Sequence, residues 1–170
     1  GVPSVWRKMP LQVQASAPWS RGPGLGFIGA GNYAGRVLMP SFRASGARLF
    51  GISTASGINA ARYGRRYGFE MASTDVQALL DAPEVDLIVN ATSLGMQRSD
   101  PSPISAGMLT RGSMVYDTIY PGQTALLLEA NEAGARTANG LSMLLHQGAL
   151  AFEPWFDRAA PVAVMRAPRP

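Results

Sequence analysis

The sequence predicts an α/β fold, and three features of its 170 residues carry that prediction. The apolar run LGFI at residues 25–28 is followed by a glycine turn and then by an amphipathic segment at residues 33–43. Strand and helix patterns continue to alternate along the chain. The length and the 46% hydrophobic content fit one globular domain. We therefore predict a Rossmann-like doubly wound parallel sheet of about six strands in a single domain.

The individual elements follow from hydrophobic periodicity and from turn and cap residues. Strands are predicted at residues 25–29, 47–53, 69–72, 86–91, 113–118 and 135–138, in the order 3-2-1-4-5-6 with right-handed crossovers. Helices are predicted at residues 32–45, 57–67, 74–81, 105–110, 123–133 and 141–156, the third with Ser73 or Thr74 as its N-cap. Residues 1–23 contain four prolines and no periodicity. We therefore predict an irregular N-terminal arm at 1–23, a dinucleotide-binding domain at 24–158 and a C-terminal tail at 159–170.

The glycine turn is the strongest functional signal in the chain. Gly29 permits the tight turn, and Gly31 lets the backbone approach a pyrophosphate. Asn32, Tyr33 and Ala34 then begin a helix whose N-terminal N–H groups favour negative charge. A lone G-x-G-x-x-A is weak evidence, but here a strand precedes it and a helix follows it. This context favours a nicotinamide dinucleotide site over an ordinary glycine-rich turn.

Cofactor choice is predicted at the end of the second strand, where NAD enzymes usually carry a carboxylate. The chain has Ser53, Thr54 and Ser56 in this region, and no acid lies between Gly29 and Glu70. The 2′-phosphate of NADP would therefore meet no repulsion, and small hydroxyl groups could donate to it. Three arginines follow on the next helix, and either Arg62 binds this phosphate or all three form a solvated face, the other two being Arg65 and Arg66. We predict NADP as the cofactor.

Charge and cysteine content exclude several other functions. The pI is about 10.0, but residues 1–24 and 160–170 hold five of the 15 basic residues and no acid. The rest of the chain is therefore near neutral, and we predict no nucleic-acid partner. No run of 18 apolar residues and no signal-peptide core is present, which predicts no membrane association. Cysteine is absent, which excludes thiolate ligands and fits a cytoplasmic protein, and we predict no metal site.

Two family resemblances cover different halves of the chain. Residues 25–85 resemble the nucleotide-binding start of the glucose-fructose oxidoreductase and inositol dehydrogenase family, through the glycine turn, AARYGRRYGF at 60–69 and TDVQALL at 74–80. From residue 85 the chain resembles the C-terminal part of shikimate dehydrogenases. The matching pieces are VNATSLGM at 89–96, VYD at 115–117, Tyr120 with Pro121 and Thr124, NGLSML at 139–144, HQGA at 146–149 and AF at 151–152.

The second resemblance implies roles for individual residues. Asn90, Ala91 and Thr92 would end the fourth strand beside the cofactor, and Met143 would approach the nicotinamide or simply pack in the core. Gln147 corresponds to a family glutamine that binds a substrate hydroxyl, and Tyr120 corresponds to a tyrosine near the same pocket. Ser142 replaces a family glycine, which adds a side chain where the backbone would approach the nicotinamide.

Both families use a catalytic lysine, and the single lysine of this sequence, Lys8, lies in the predicted arm. We therefore assign no catalytic residue and expect an NADP-binding domain without normal turnover. Two alternatives stay open. One is a working NADP-dependent oxidoreductase that takes its acid from Asp117, Tyr120 or a partner subunit. The other is a scaffold or interaction domain without ligand. The join of the two resemblances near the fourth strand suggests a recombined or engineered chimera, or a truncated relative.

Self-association is the last expectation from the sequence. The predicted helix at 141–156 is rich in apolar residues and has no obvious partner within the chain. The large apolar residues left with an uncertain partner are Leu144, Leu145, Leu150, Phe152, Trp155 and Phe156. Exposed patches of this kind are uncommon on soluble monomers. We therefore expect a homodimer, with coverage by the N-terminal arm as the alternative.

Overall fold

The structure is a computed structural model, and it describes residues 8–11, 22–105, 107–120 and 122–166. Its seven strands are β1 (Lys8–Pro10), β2 (Gly24–Ile28), β3 (Arg48–Ser53), β4 (Met71–Ser73), β5 (Leu87–Asn90), β6 (Met114–Asp117) and β7 (Arg136–Asn139). They form one sheet in the order β1-β4-β3-β2-β5-β6-β7. Strands β2 to β7 are parallel, so the predicted six-stranded order is confirmed.

Strand β1 is an addition that the sequence patterns do not predict. It pairs antiparallel with β4, with Lys8 opposite Ser73 and Pro10 opposite Met71. The backbone N–H of Leu11 then donates to the Glu70 carbonyl at 2.7 Å, and the Leu11 side chain is buried. A three-residue edge strand ending in proline carries no periodicity, and proline is tolerated at such an edge. Part of the segment predicted as an irregular arm therefore belongs to the sheet.

The helices follow the strands closely. A π-helical turn (Ala34–Leu38) runs directly into α1 (Met39–Ala44). The others are α2 (Gly57–Tyr67), α3 (Gln77–Leu80), α4 (Ala125–Glu132), α5 (Leu141–Phe156) and α6 (Val162–Arg166). In the described part of the chain, none of them is both long and apolar enough to span a bilayer.

Three helix predictions need correction. Helix α3 begins later than predicted because the Ser73 hydroxyl accepts from the Asp75 N–H and the Asp75 carboxylate accepts from the Gln77 N–H, at 2.9 and 3.0 Å. Neither Ser73 nor Thr74 is its N-cap. In place of the helix predicted at 105–110, the described residues form a turn in which the Met108 N–H donates to the Ser105 carbonyl. The predicted tail contains α6.

The core has two layers because both faces of the sheet are covered. Successive residues of a strand point to opposite faces, so Phe27 packs with α1 and α2 while Ile28 packs on the other side. Phe27 contacts the rings of Phe42 and Phe69 edge-on, at centroid distances of 5.9 and 5.6 Å. Leu126 and Leu127 of α4 bury themselves in the second layer. This doubly wound arrangement brings the ends of β2, β3, β5 and β6 together at one edge.

Candidate functional site

The glycine turn lies where the carboxyl ends of β2, β3 and β5 meet. Gly29 has a φ of +92°, and a Cβ there would lie 2.7 Å from the Thr92 methyl group and 2.9 Å from the Ala91 carbonyl oxygen. Its backbone N–H donates to the Ser53 carbonyl at 2.8 Å. Gly29 therefore satisfies both a left-handed turn and a close approach between two strand ends.

Gly31 has the opposite surroundings. A Cβ built on Gly31 meets no described atom within 4 Å, so the space beside this backbone is open. The Gly35 N–H donates to the Gly31 carbonyl at 3.0 Å and starts the helix. The N–H groups at such a helix start have no partners within the helix and remain available to an anion. A pyrophosphate fits this geometry.

The first helical residues divide between surface and core. Asn32 and Tyr33 are exposed, whereas Ala34 is buried. Close packing against α2 falls on Gly35, where an added Cβ would lie 2.5 Å from the Tyr63 ring. Ala34 and Gly35 are therefore the buried residues at the start of this helix.

The residues predicted for the 2′-phosphate separate into two groups. Ser53 is only 1% exposed, and its hydroxyl has no hydrogen-bond partner among the described residues. The Thr54 hydroxyl donates to the Ser56 carbonyl at 2.5 Å, and the Ser56 hydroxyl caps α2 by accepting from the Asn59 N–H at 3.5 Å. Arg62 is exposed on α2. Thr54, Ser56 and Arg62 are therefore at the surface, but the Ser53 side chain is not.

Asn90 holds the loop that follows β5. Its fully buried carboxamide accepts from the Thr92 N–H and hydroxyl at 3.0 and 2.7 Å. It also donates to the Leu94 carbonyl at 3.3 Å and to an Asp117 carboxylate oxygen at 2.9 Å. The Ala91 N–H donates to the Ile28 carbonyl at 2.8 Å. The buried Asn90 therefore fixes the loop after β5, while Ala91 and Thr92 contact Gly29 at the edge of the site.

Asp117 is a candidate proton donor from the sequence, but the sequence does not predict its surroundings. It is fully buried, and its oxygens accept from Asn90, from the Ile119 N–H at 3.1 Å and from the Thr124 hydroxyl at 2.5 Å. These donors and its full burial indicate that Asp117 holds the fold together, which argues against it as the proton donor of the alternative dehydrogenase hypothesis. The available signal was an Asn and an Asp that end neighbouring strands.

A second cluster joins the glycine turn to α5. The Tyr33 hydroxyl donates to the Met143 thioether sulfur at 3.2 Å, and the side-chain amide of Gln147 donates to the same hydroxyl. Tyr33 is 39% exposed, and Gln147 is exposed as well. The structure thus brings together three residues that the sequence analysis predicts for cofactor and substrate.

Tyr120 and Ser142 take no part in this cluster. Tyr120 is 40% exposed and makes no hydrogen bond to a described residue. Gly140 starts α5 so close to β6 that an added Cβ would lie 2.1 Å from the Thr118 carbonyl oxygen. Ser142, which replaces the family glycine, is exposed.

An open apolar cavity of about 450 Å³ lies between α1, the sheet and α5. Phe42, Tyr116, Met143 and His146 are among the residues that line it. Burial raises the pKa of Tyr116 above its ordinary value of 10.0, and the neighbouring Tyr33 and Asp117 raise it further. In the ranges that the structure covers, no cluster of three or more His, Cys, Asp or Glu could hold a metal ion.

Comparison with known proteins points to one enzyme family. Residues 140–167 match the shikimate 5′-dehydrogenase C-terminal domain family. The shikimate dehydrogenase (NADP(+)) of Symbiobacterium thermophilum is 50% identical over 86 residues, which are 49% of this chain and 29% of that protein. The enzyme of the same name from Methanocella arvoryzae is 39% identical over 115 residues, which are 66% of this chain and 42% of that protein.

Solved structures extend the similarity to about 85% of the chain. Shikimate dehydrogenase from Aquifex aeolicus matches with a TM-score of 0.75 and 27% identity over 86% of this chain and 54% of that chain. Shikimate 5-dehydrogenase from Thermus thermophilus, solved with NADP(H) and shikimate, matches with a TM-score of 0.69 and 32% identity over 85% of this chain and 52% of that chain. The chain therefore spans about half the length, or less, of these relatives. NADP is named for the Symbiobacterium and Methanocella enzymes and NADP(H) for the Thermus structure, in agreement with the sequence prediction.

Proposed function

We propose that this chain is the NADP(H)-binding Rossmann domain of a shikimate dehydrogenase-like oxidoreductase. The observation that carries the proposal is the geometry of the glycine turn. Gly29 packs closely against Thr92, whereas the space beside Gly31 is open. The turn lies between β3 and β5, where the strand order reverses and where dinucleotides bind in such sheets. The NADP-dependent relatives support the same cofactor.

The described residues fit a dinucleotide along this edge. The N–H groups after Gly31 would hold the pyrophosphate, and Thr54, Ser56 and Arg62 would face the 2′-phosphate. Met143, with Tyr33 against it, would lie toward the nicotinamide. The bound cofactor would supply hydride chemistry, which these side chains do not supply themselves.

The substrate side follows from the resemblance and from the position of α5. Gln147 would bind a substrate hydroxyl, and Tyr120 would border the same pocket. Turnover also needs a proton donor near the substrate oxygen. Lys8 lies on β1, three strands from β2 and so about 14 Å away at the usual strand spacing, and Asp117 is engaged by Asn90 and Thr124. We therefore propose that the glycine turn and the residues around it bind the cofactor, and we assign no catalytic residue.

We propose further that the chain forms a homodimer through α5 and α6. Several large apolar side chains on these helices are exposed in the described chain: Leu141, Leu150, Trp155, Phe156, Val164 and Met165. Trp155 is 81% exposed and Leu150 is 72% exposed. Apolar area is stabilised by removal from water at about 25 cal/mol per Å², so a second copy that covers this surface would stabilise both chains.

The experiment that tests the proposed function is titration of the purified chain with NADPH and NADH, followed by fluorescence and calorimetry. We expect saturable binding with NADPH bound more tightly than NADH, because no acid lies between Gly29 and Glu70 to repel the 2′-phosphate. NADPH oxidation with dehydroshikimate would support the alternative of a working dehydrogenase. Failure of both nucleotides to bind would instead favour an interaction domain without ligand.

We also propose that the chain has a chimeric origin and a cytoplasmic location. A chimeric origin rests on the resemblance of residues 25–85 to the glucose-fructose oxidoreductase and inositol dehydrogenase family. The cytoplasmic location rests on the absence of cysteine and on the proposed use of NADP(H).

A further inference from the structure

Tyr33 occupies a position between the two halves of the candidate site. It follows Gly31 by two residues, and its hydroxyl makes two hydrogen bonds to α5, one with Met143 and one with Gln147. Residues 143 and 147 are four apart, so their side chains share one face of the helix. One tyrosine therefore contacts both the residue proposed for the nicotinamide and the residue proposed for the substrate.

The hydrogen bonds at Tyr33 have a defined direction. A tyrosine hydroxyl has one proton, and here it points to the Met143 sulfur, so the oxygen accepts from the Gln147 amide nitrogen. Gln147 makes no other hydrogen bond to a described residue. Among the described residues its carbonyl oxygen and its second N–H have no partner, and the bond to Tyr33 orients both. Such a carboxamide can accept from and donate to the hydroxyl group of a ligand.

Gln147 would not hold this orientation alone. An exposed glutamine side chain rotates about three bonds and samples many rotamers. Tyr33 belongs to the helix start that would hold the pyrophosphate, so a shift of that helix start would move its hydroxyl. We propose that Tyr33 is a positioning residue that fixes the Gln147 carboxamide and couples it to occupancy of the dinucleotide site. The coupling rests on the proposed function, whereas the positioning does not.

The test compares Tyr33→Phe with the wild-type chain by NMR of the glutamine side-chain amides. Tyr63→Phe is the matched control, because the Tyr63 ring stacks on Tyr67 and its hydroxyl has no hydrogen-bond partner in the described ranges. The Gln147 signal is identified by its loss in Gln147→Leu. In the free protein, we expect Tyr33→Phe to move the Gln147 amide signal toward that of a solvated glutamine and Tyr63→Phe to leave it in place.

The second arm adds NADPH to the same proteins. We expect NADPH at saturating concentration to move the Gln147 signal in the wild type but not in Tyr33→Phe. Met143→Leu is the second variant if Tyr33→Phe does not fold. It removes the sulfur acceptor, so the hydroxyl proton reorients and the Gln147 signal moves.

The outcomes separate the two claims. An unchanged Gln147 signal in free Tyr33→Phe, or in Met143→Leu if that variant is needed, overturns the positioning role. An equal NADPH-induced change with and without the hydroxyl overturns the coupling. If NADPH does not bind the wild type, the proposed function and the coupling both fail, and the free-protein comparison still decides the positioning.

Discussion

The Asn90 amide donates to the Asp117 carboxylate at 2.9 Å and thereby joins the carboxyl ends of β5 and β6. Both side chains are fully buried. Asp117 also accepts from Thr124, the residue that caps α4, and Asn90 accepts from Thr92 beside the glycine turn. One polar network therefore sets the loop after β5, the start of α4 and the wall of the proposed dinucleotide site.

Asp117→Ala should destabilise the fold strongly. The substitution leaves the Asn90 amide, the Ile119 N–H and the Thr124 hydroxyl without their acceptor in a buried place. We expect a loss of about 3 kcal/mol in the free energy of unfolding, since each buried unsatisfied donor costs about 1–3 kcal/mol. Urea denaturation measures it. Asp81→Ala is the control, because the exposed Asp81 carboxylate bonds only the Gln77 side chain among the described residues. A similar loss there would contradict the structural role of Asp117.

The two turn glycines should respond differently to substitution. Gly31→Asp places a carboxylate beside the proposed pyrophosphate site, so NADPH binding should fall by more than about tenfold. The fold should persist, because a Cβ at Gly31 meets nothing within 4 Å. Gly29→Ala should destabilise the fold itself, because its φ is +92° and Thr92 lies in the way. Calorimetric titration with thermal unfolding checks both, and unchanged NADPH affinity in Gly31→Asp would remove the assigned site.

Cofactor preference is best tested at Ser56. Ser53→Asp would place a carboxylate in a position that is 1% exposed, so its effect on stability would obscure any effect on binding. Asp is a good N-cap, so Ser56→Asp keeps the start of α2 while adding negative charge beside Thr54. We expect the ratio of NADPH to NADH affinity to fall by about tenfold. Ser56→Asn is the uncharged control, and equal ratios in the two variants would place the 2′-phosphate elsewhere.

Tyr116 should make the fold sensitive to alkaline pH. Burial raises the pKa of Tyr116 above 10.0 in the folded protein, and the neighbouring Tyr33 and Asp117 raise it further. In the unfolded chain the pKa of this tyrosine is about 10. Both states are protonated below that value, so the linked stability is fully present there and is lost as the pH rises toward the folded pKa. Urea midpoints at about pH 8 and about pH 11 should differ less for Tyr116→Phe than for the wild type. An equal difference would exclude Tyr116 as the titrating group.

Local sequence signals predicted the order of the six parallel strands and several helix limits. Helix α2 has a Ser56 cap at its start and a left-handed Gly68 at its end, and both signals lie within the segment itself. The Ser53 side chain was harder to place because β3 lies between β2 and β4, with Ile28 and Ser73 in register on either side. The bond between Tyr33 and Gln147 spans 114 residues. Contacts of that kind depend on how distant helices and strands pack, and short sequence motifs do not predict that packing.

The proposed dimer surface can be tested by one charge on α5. Trp155 is 81% exposed, so Trp155→Glu should leave the fold intact while placing a carboxylate in the interface, where burial of an unpaired charge is costly. We expect sedimentation equilibrium to show a dimer for the wild type and a monomer for this variant. Ile58→Glu is the matched control, because Ile58 is equally exposed but lies on α2, and it should remain dimeric. A wild-type chain that stays monomeric at high concentration would show that α5 and α6 do not bind a second copy.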